Sequence, residues 1–191
     1  MSALPIIYNS QRNNFDFAGQ FRGSCQCFST SVWMAMSYFN SAIIADDDIG
    51  LSRYVDDVSD VVGSAGIAEE IKKEVSGIVG NSAYFWQVQQ AGMKKWMDGT
   101  TGEAIWEKNA TYDRISELCE ETPIVLGTSK LAGLPGGHII LAIGNAGNGL
   151  FFHDPYGDAV SWYKNPNGGE VIYPREFIEP AISGNILYWK V

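Results

Sequence analysis

The spacing of apolar residues changes along the chain, and the change divides it into two parts. Val32, Ala35, Met36 and Phe39 fall at i, i+3, i+4 and i+7, the spacing that gives a helix one buried face. This predicts a helix from about Phe28 to Ala42, starting at or next to Cys27. From Ile49 to about Asp98 the pattern is again amphipathic and helical, broken at Gly63, Gly66 and Gly80, with a stripe at Tyr84, Val88 and Ala91 on its last helix. A glycine turn at Gly99-Thr100-Thr101-Gly102 leads to another short helix, Tyr112 to Glu121, with Ile115 and Leu118 on one side.

Beyond Glu121 the helical period is lost. Pro123 to Gly127, His138 to Gly144, Gly149 to Asp154, Glu170 to Tyr173 and Ile186 to Trp189 are short β-rich runs separated by Gly, Asn and Pro. Asn145-Ala146-Gly147-Asn148-Gly149 is a strong hairpin signal between two of them. Residues 4–8 read as a further short strand, followed by a polar loop from Asn9 to Ser24 that carries Gln11 and Gln20. Helices first and an antiparallel sheet afterwards predict an α+β fold whose two parts face each other across a cleft. No internal repeat or long linker divides the sequence, so one domain over 1–191 is expected, helical over about 27–121 and sheet over about 122–191.

Composition narrows the possible partners. The 191 residues are 46% hydrophobic, enough to bury a substantial core. Lys and Arg number 13 against 22 Asp and Glu, a net charge of −9. Nucleic acid is therefore not an expected partner, because phosphate binding needs clustered cations. No run approaches the roughly 20 apolar residues of a membrane span, and Met1 to Tyr8 carries no secretory signal. The expected locations are the cytoplasm, or a virion or exterior reached by another route. Asp46-Asp47-Asp48 lacks the spaced ligands of a calcium loop and reads as a helix N-cap. Trp86, Trp96 and Trp106 read as core packing in preference to a platform for carbohydrate or peptide.

The candidate chemistry starts at Cys27. A thiol at a helix N-terminus meets unpaired backbone N–H groups and the positive end of the helix dipole, which favour the nucleophilic thiolate. Cys25 and Cys27 are spaced neither as a redox pair nor as a zinc knuckle, and Cys119 lies in a helical pattern as a small apolar residue. Only two histidines are available as a base, His138 and His153. His138 follows Gly136-Gly137 and opens an apolar run, while Asp154 closes the next one. If the two runs pair as a hairpin, those ends lie side by side, and Asp154 can accept a hydrogen bond from the His138 ring and fix its tautomer. His153 adjoins Asp154, but strand alternation turns it to the opposite face. Each residue alone is ordinary, since cysteines precede helices and Asp-Pro-Tyr-Gly forms turns for structural reasons. Nucleophile, base and orienter in this order point to covalent catalysis.

Cys27-Phe28-Ser29-Thr30-Ser31-Val32-Trp33-Met34-Ala35-Met36, Gly137-His138-Ile139-Ile140 and His153-Asp154-Pro155-Tyr156-Gly157 resemble the C39-like branch of the papain-fold cysteine peptidases, in its stand-alone bacterial or phage form. The resemblance implies Cys27 as nucleophile, His138 as general base and later acid, and Asp154 as orienter. It also implies an oxyanion glutamine ahead of the cysteine. Gln11, in a segment similar to the family's Gln-x-Asp-Asn although Asn13 replaces the Asp, is preferred, and Gln20, at closer spacing, is the alternative. Cys25 is a second candidate nucleophile, but Cys27 has the family's offset from Thr30-Ser31. The expected reaction is hydrolysis of an amide bond in a peptide or peptidoglycan cross-link through a thioester, with no metal or organic cofactor. Acyl transfer to an amine, as in a transglutaminase or transpeptidase, and an idle binding or virion structural module are the rival readings.

Overall fold

The computed structural model describes residues 2–13, 26–40, 83–134 and 137–191. Gln20, Cys25, Asp46 to Asp48, Gly63, Gly66, Gly80, Gly136 and the helices expected between 49 and 82 lie outside the described residues, as do the side chains of Tyr84 and Val88. The described elements are α1 (Cys27–Phe39), α2 (Ala83–Trp96), β1 (Glu103–Glu107), α3 (Tyr112–Leu118), β2 (Ile124–Ser129), β3 (Gly137–Asn145), β4 (Gly149–His153), β5 (Val171–Pro174), α4 (Arg175–Ile178) and β6 (Ile182–Lys190).

The six strands form one sheet in the order β1-β6-β2-β3-β4-β5, with every neighbouring pair antiparallel. Strand alternation supplies both faces. Val125, Leu141, Ile143, Leu187 and Trp189 turn to a core shared with α1 and α2, through Val32, Trp33, Met34, Met36, Trp86 and Met93. Ile124, Leu126, Ile140, Ala142, Ile186 and Tyr188 turn to a second core with Tyr112 and Ile115 of α3 and Ile178 of α4. Trp33, Met34 and Met36 are essentially fully buried, each contributing about 1.5–3 kcal/mol of hydrophobic stabilisation. That burial, rather than helix propensity, holds α1 on the sheet.

Helix and sheet therefore combine as expected, with three local differences. Residues 103–107, expected within the helical part, form edge strand β1 instead, paired with β6 from Glu103↔Lys190 to Glu107↔Ile186. Its side chains alternate, Ala104 and Trp106 towards one core and Ile105 towards the other. Residues 4–8 form no strand. The Leu4 N–H donates to the Ile143 carbonyl at 2.6 Å, but the next N–H on that side, that of Ile6, turns back to the Leu4 carbonyl at 2.8 Å around Pro5, whose fixed φ favours a turn. Helix α3 ends at Leu118, short of Glu121. Pro123 disfavours helical geometry at the residue before it, and the Thr122 hydroxyl turns away to the Trp189 carbonyl at 2.9 Å.

Trp86 is buried in the core, and Trp96 and Trp106 pack against it. Among the described residues no helix is long and apolar enough to cross a membrane.

Candidate active site

Strands β3 and β4 form the expected hairpin, with Leu141 opposite His153 and Asn145 opposite Leu150 across a bulge between Ala142 and Gly144. The hairpin returns the chain from residue 149 to the edge at which β3 begins. His138, second residue of β3, and Asp154, just past β4, meet there with Nε2 2.8 Å from Oδ1. Both side chains are buried.

Burial of a carboxylate is tolerated only when its oxygens meet donors, and Asp154 is well supplied. The Tyr156 backbone N–H donates to Oδ1 at 3.0 Å, while the hydroxyls of Tyr173 and Tyr163 approach Oδ2 at 2.9 and 3.4 Å. The Asp154 backbone N–H donates to the Gly168 carbonyl at 2.9 Å. The returning loop comes so close that a side chain at Gly168 would run into the Asp154 carbonyl. Gly157, at φ +126°, completes the Asp-Pro-Tyr-Gly turn in a conformation that disfavours other residues.

Cys27 is the first residue of α1 and is half-buried, whereas Ser29 to Ser37 behind it are buried. The Ser31 hydroxyl reaches the Ile139 carbonyl at 3.4 Å, tying the first turns of α1 to the strand that carries His138. The Thr128 hydroxyl holds the His138 carbonyl from the other side at 2.9 Å. The Cys27 thiol is both a hydrogen-bond partner and a charge partner of the His138 ring. Because Nε2 is engaged by Asp154, Nδ1 is the ring nitrogen left for sulfur. Burial alone would pull the His138 pKa down; the Asp154 charge and hydrogen bond, with Cys27, outweigh it and push the pKa up to about 10. The corner thus favours an imidazolium held against the Asp154 carboxylate.

Gln11 opens a short 3-10 turn, Gln11–Asn13, and is buried. Its backbone N–H donates to the Pro155 carbonyl at 3.0 Å, and the Ser10 hydroxyl reaches the same carbonyl at 3.2 Å. The Arg12 guanidinium lies 4.2 Å from the centre of the Tyr156 ring. Gln11 is therefore brought beside the Asp154–Gly157 turn.

His153 turns away from Asp154, as alternation requires. Its Nε2 lies 2.8 Å from the Ile6 carbonyl, and its Nδ1 accepts the Glu170 N–H at 3.0 Å. Cys119 is buried with its thiol on the Ser116 carbonyl, and burial pushes its pKa up to about 12, which keeps it protonated and inert.

The tyrosines around Asp154 were not read from the sequence. Tyr173 carried the one available signal, since a tyrosine on an apolar strand has a hydroxyl that needs a partner once buried. Tyr8 adds a fourth contact, its hydroxyl donating to the Asp154 carbonyl at 3.1 Å and accepting the Gly168 N–H at 3.2 Å. Among the described residues no group of three or more His, Cys, Asp or Glu side chains is placed to hold a metal ion.

Comparison with known proteins bears on the family and the fold. The model of the Peptidase_C39 like family matches residues 4–174. The fold is similar to the crystal structure of a protein from Bacillus anthracis assigned to the C39-like peptidases, with a TM-score of 0.54 and 14% identity over 98% of this chain and 95% of that one. No curated protein matches the chain at a significant level.

Proposed function

Because the chain belongs to the Peptidase_C39 like family, we propose that it is a cysteine peptidase acting through Cys27, His138 and Asp154 on an amide bond in a peptide or peptidoglycan cross-link. The observation that carries this reading is the 2.8 Å contact between His138 Nε2 and Asp154 Oδ1, on a ring that also interacts with the Cys27 thiol. The corresponding reading of the fold is papain-like, with the nucleophile on a helix and the base on a sheet.

In the first half-reaction the Cys27 thiolate attacks the carbonyl carbon, a C–S bond forms, and the carbonyl electron pair moves onto oxygen. The Cys27 backbone N–H and the Gln11 side-chain amide hold that oxyanion; Gln20, outside the described residues, is the alternative donor. The intermediate then collapses, the C–N bond breaks, and the leaving amine takes the proton from His138 Nδ1. In the second half-reaction His138 Nδ1 accepts a proton from water as the water oxygen bonds the thioester carbon; collapse of that intermediate breaks the C–S bond, the acid departs and the electron pair returns to sulfur as the Cys27 thiolate. Asp154 keeps the ring oriented and balances its charge throughout. The net charge of −9 favours neutral or basic substrates.

Incubation with peptide mixtures and peptidoglycan stem peptides in ¹⁸O-water tests the reading. Hydrolysis places one heavy oxygen in each new carboxylate, and the products disappear in Cys27→Ala. Amide products formed with an added amine would assign the thioester to acyl transfer instead. No product of either kind, with Cys27 alkylated only at the pH of a free thiol, would remove the peptidase reading.

A further inference from the structure

The reach of Asp154 to His138 depends on the rotation of its carboxyl group, and that rotation is set by what holds the oxygen facing away from the ring. Oδ1 serves His138 and the Tyr156 N–H. Oδ2 has the Tyr173 hydroxyl at 2.9 Å and the more distant Tyr163 hydroxyl at 3.4 Å. Tyr173 comes from β5, a strand that carries neither His138 nor Asp154. It is fully buried, with its ring stacked 5.1 Å from Phe152 and edge-on at 5.5 Å to Phe177.

The direction of its hydrogen bond follows from its other partners. The Tyr173 oxygen accepts the Ala159 backbone N–H at 2.9 Å, and that donor cannot reverse its role. The hydroxyl proton must therefore go to an acceptor. Its choices are Asp154 Oδ2 at 2.9 Å and the Gly157 carbonyl at 3.4 Å. The shorter contact is also to a charged acceptor, and hydrogen bonds to ionised groups are the stronger ones. A neutral donor suits the position. A lysine or arginine there would compete with the imidazolium for the same carboxylate, whereas a phenol fixes Oδ2 and leaves the negative charge available to His138.

We propose that Tyr173 is a positioning residue for the peptidase reaction: its hydroxyl donates to Asp154 Oδ2, holds Oδ1 on His138 Nε2, and so sets how much of Cys27 stands as thiolate beside imidazolium. The proposal rests on the peptidase reading of the same site. Tyr163 assists only weakly, because its contact is longer.

The test is the rate of Cys27 alkylation by iodoacetamide between pH 4 and 9 in the full chain, with peptide mass spectrometry to isolate Cys27 and thermal unfolding measured in parallel. The wild-type protein gives a shoulder of reactivity below pH 7, which His138→Ala abolishes. Tyr173→Phe lowers the amplitude of that shoulder about tenfold, the scale of one charge-assisted hydrogen bond, and Tyr163→Phe lowers it less than about threefold on the same scale. A shoulder of unchanged amplitude in Tyr173→Phe, whatever happens to the melting temperature, makes the hydroxyl merely structural and overturns the proposal while the peptidase reading stands. Absence of the shoulder in the wild type removes both. If Tyr173→Phe fails to fold, 3-fluorotyrosine placed at 173 keeps the hydroxyl and makes it a stronger donor. The amplitude of the shoulder then changes, and an unchanged one overturns the proposal.

Discussion

His138 and His153 stand on neighbouring strands, both buried, at 4% and 1% exposure, yet their environments ask opposite things of the same ring. His138 has a carboxylate on Nε2 and interacts with the Cys27 thiol. Both partners gain from a positive charge, and its pKa is raised although burial opposes it. His153 has an amide N–H pointing at Nδ1 and a carbonyl at Nε2. That pair of contacts is satisfied only by the neutral ring with its proton on Nε2. Burial lowers the His153 pKa, and the Ile6 carbonyl offsets this only in part. One ring is poised to carry charge; the other is a neutral clip fastening residue 6 to β4. Burial by itself did not decide which became which; the identity of two or three neighbours did.

The sharpest way to break the contrast is to remove each ring in turn. His138→Ala should lower kcat/KM by about 10⁴-fold, the scale at which catalytic triads fail, whereas His153→Gln, which can keep one donor and one acceptor, should change it less than about threefold. Hydrolysis rates measured on one substrate check both, and equal losses would end the distinction. Asp154→Asn should cost about 10³-fold in the same assay, because an amide can hold the ring but cannot balance its charge. Asp154→Ala should in addition lower folding stability by about 3 kcal/mol in urea unfolding, since it leaves a buried imidazolium and the Tyr173 hydroxyl without their acceptor.

Stability against pH sharpens the comparison further. The folded pKa of His138 lies above its unfolded value of about 6.5, so its contribution is complete below about pH 6.5 and is lost as pH rises towards about 10. His153 works in the other sense. Its folded pKa lies below the unfolded value, so the unfolded chain binds the proton first and stability falls as pH drops below about 6.5. Urea midpoints measured from pH 4 to 10 should lose their alkaline slope in His138→Gln and part of their acid slope in His153→Gln. Exchange of those two outcomes would contradict the assignment. The smallest effect belongs to Thr128→Val, which removes the hydroxyl on the His138 carbonyl. It should cost about 1 kcal/mol of stability with little change in hydrolysis.

Much of the site was legible because it is built from local rules. The apolar period after Cys27 marks a helix start, and α1 does begin at that residue. The Asn145 to Gly149 turn signal implies a hairpin, and hairpin arithmetic brings residues 138 and 154 to one edge. Alternation predicted that His153 would face away from Asp154, as its contact with Ile6 shows. Strand β1 was missed because its five residues gain their stability from β6, some 80 positions later in the chain. The alternation of Ala104, Ile105 and Trp106 was present but short, beside a long helical pattern. Residues 4–8 were read as a strand because their composition is apolar, while Pro5 limits the backbone pairing available to them.

The sequence by itself determined the helix carrying Cys27, the hairpin that joins His138 to Asp154, and the turn that follows it, since each depends on residues a few positions apart and on periods that sterics impose. Tertiary structure alone decided the donors around Asp154 and the protonation each histidine favours. Tyr173 reaches Asp154 Oδ2 from β5, Tyr8 reaches the Asp154 carbonyl and Ile6 the His153 ring from the N-terminal segment, and Cys27 acts on His138 from α1. A buried charge responds to the few groups within hydrogen-bonding range in space, and which groups those are is set by how distant segments pack.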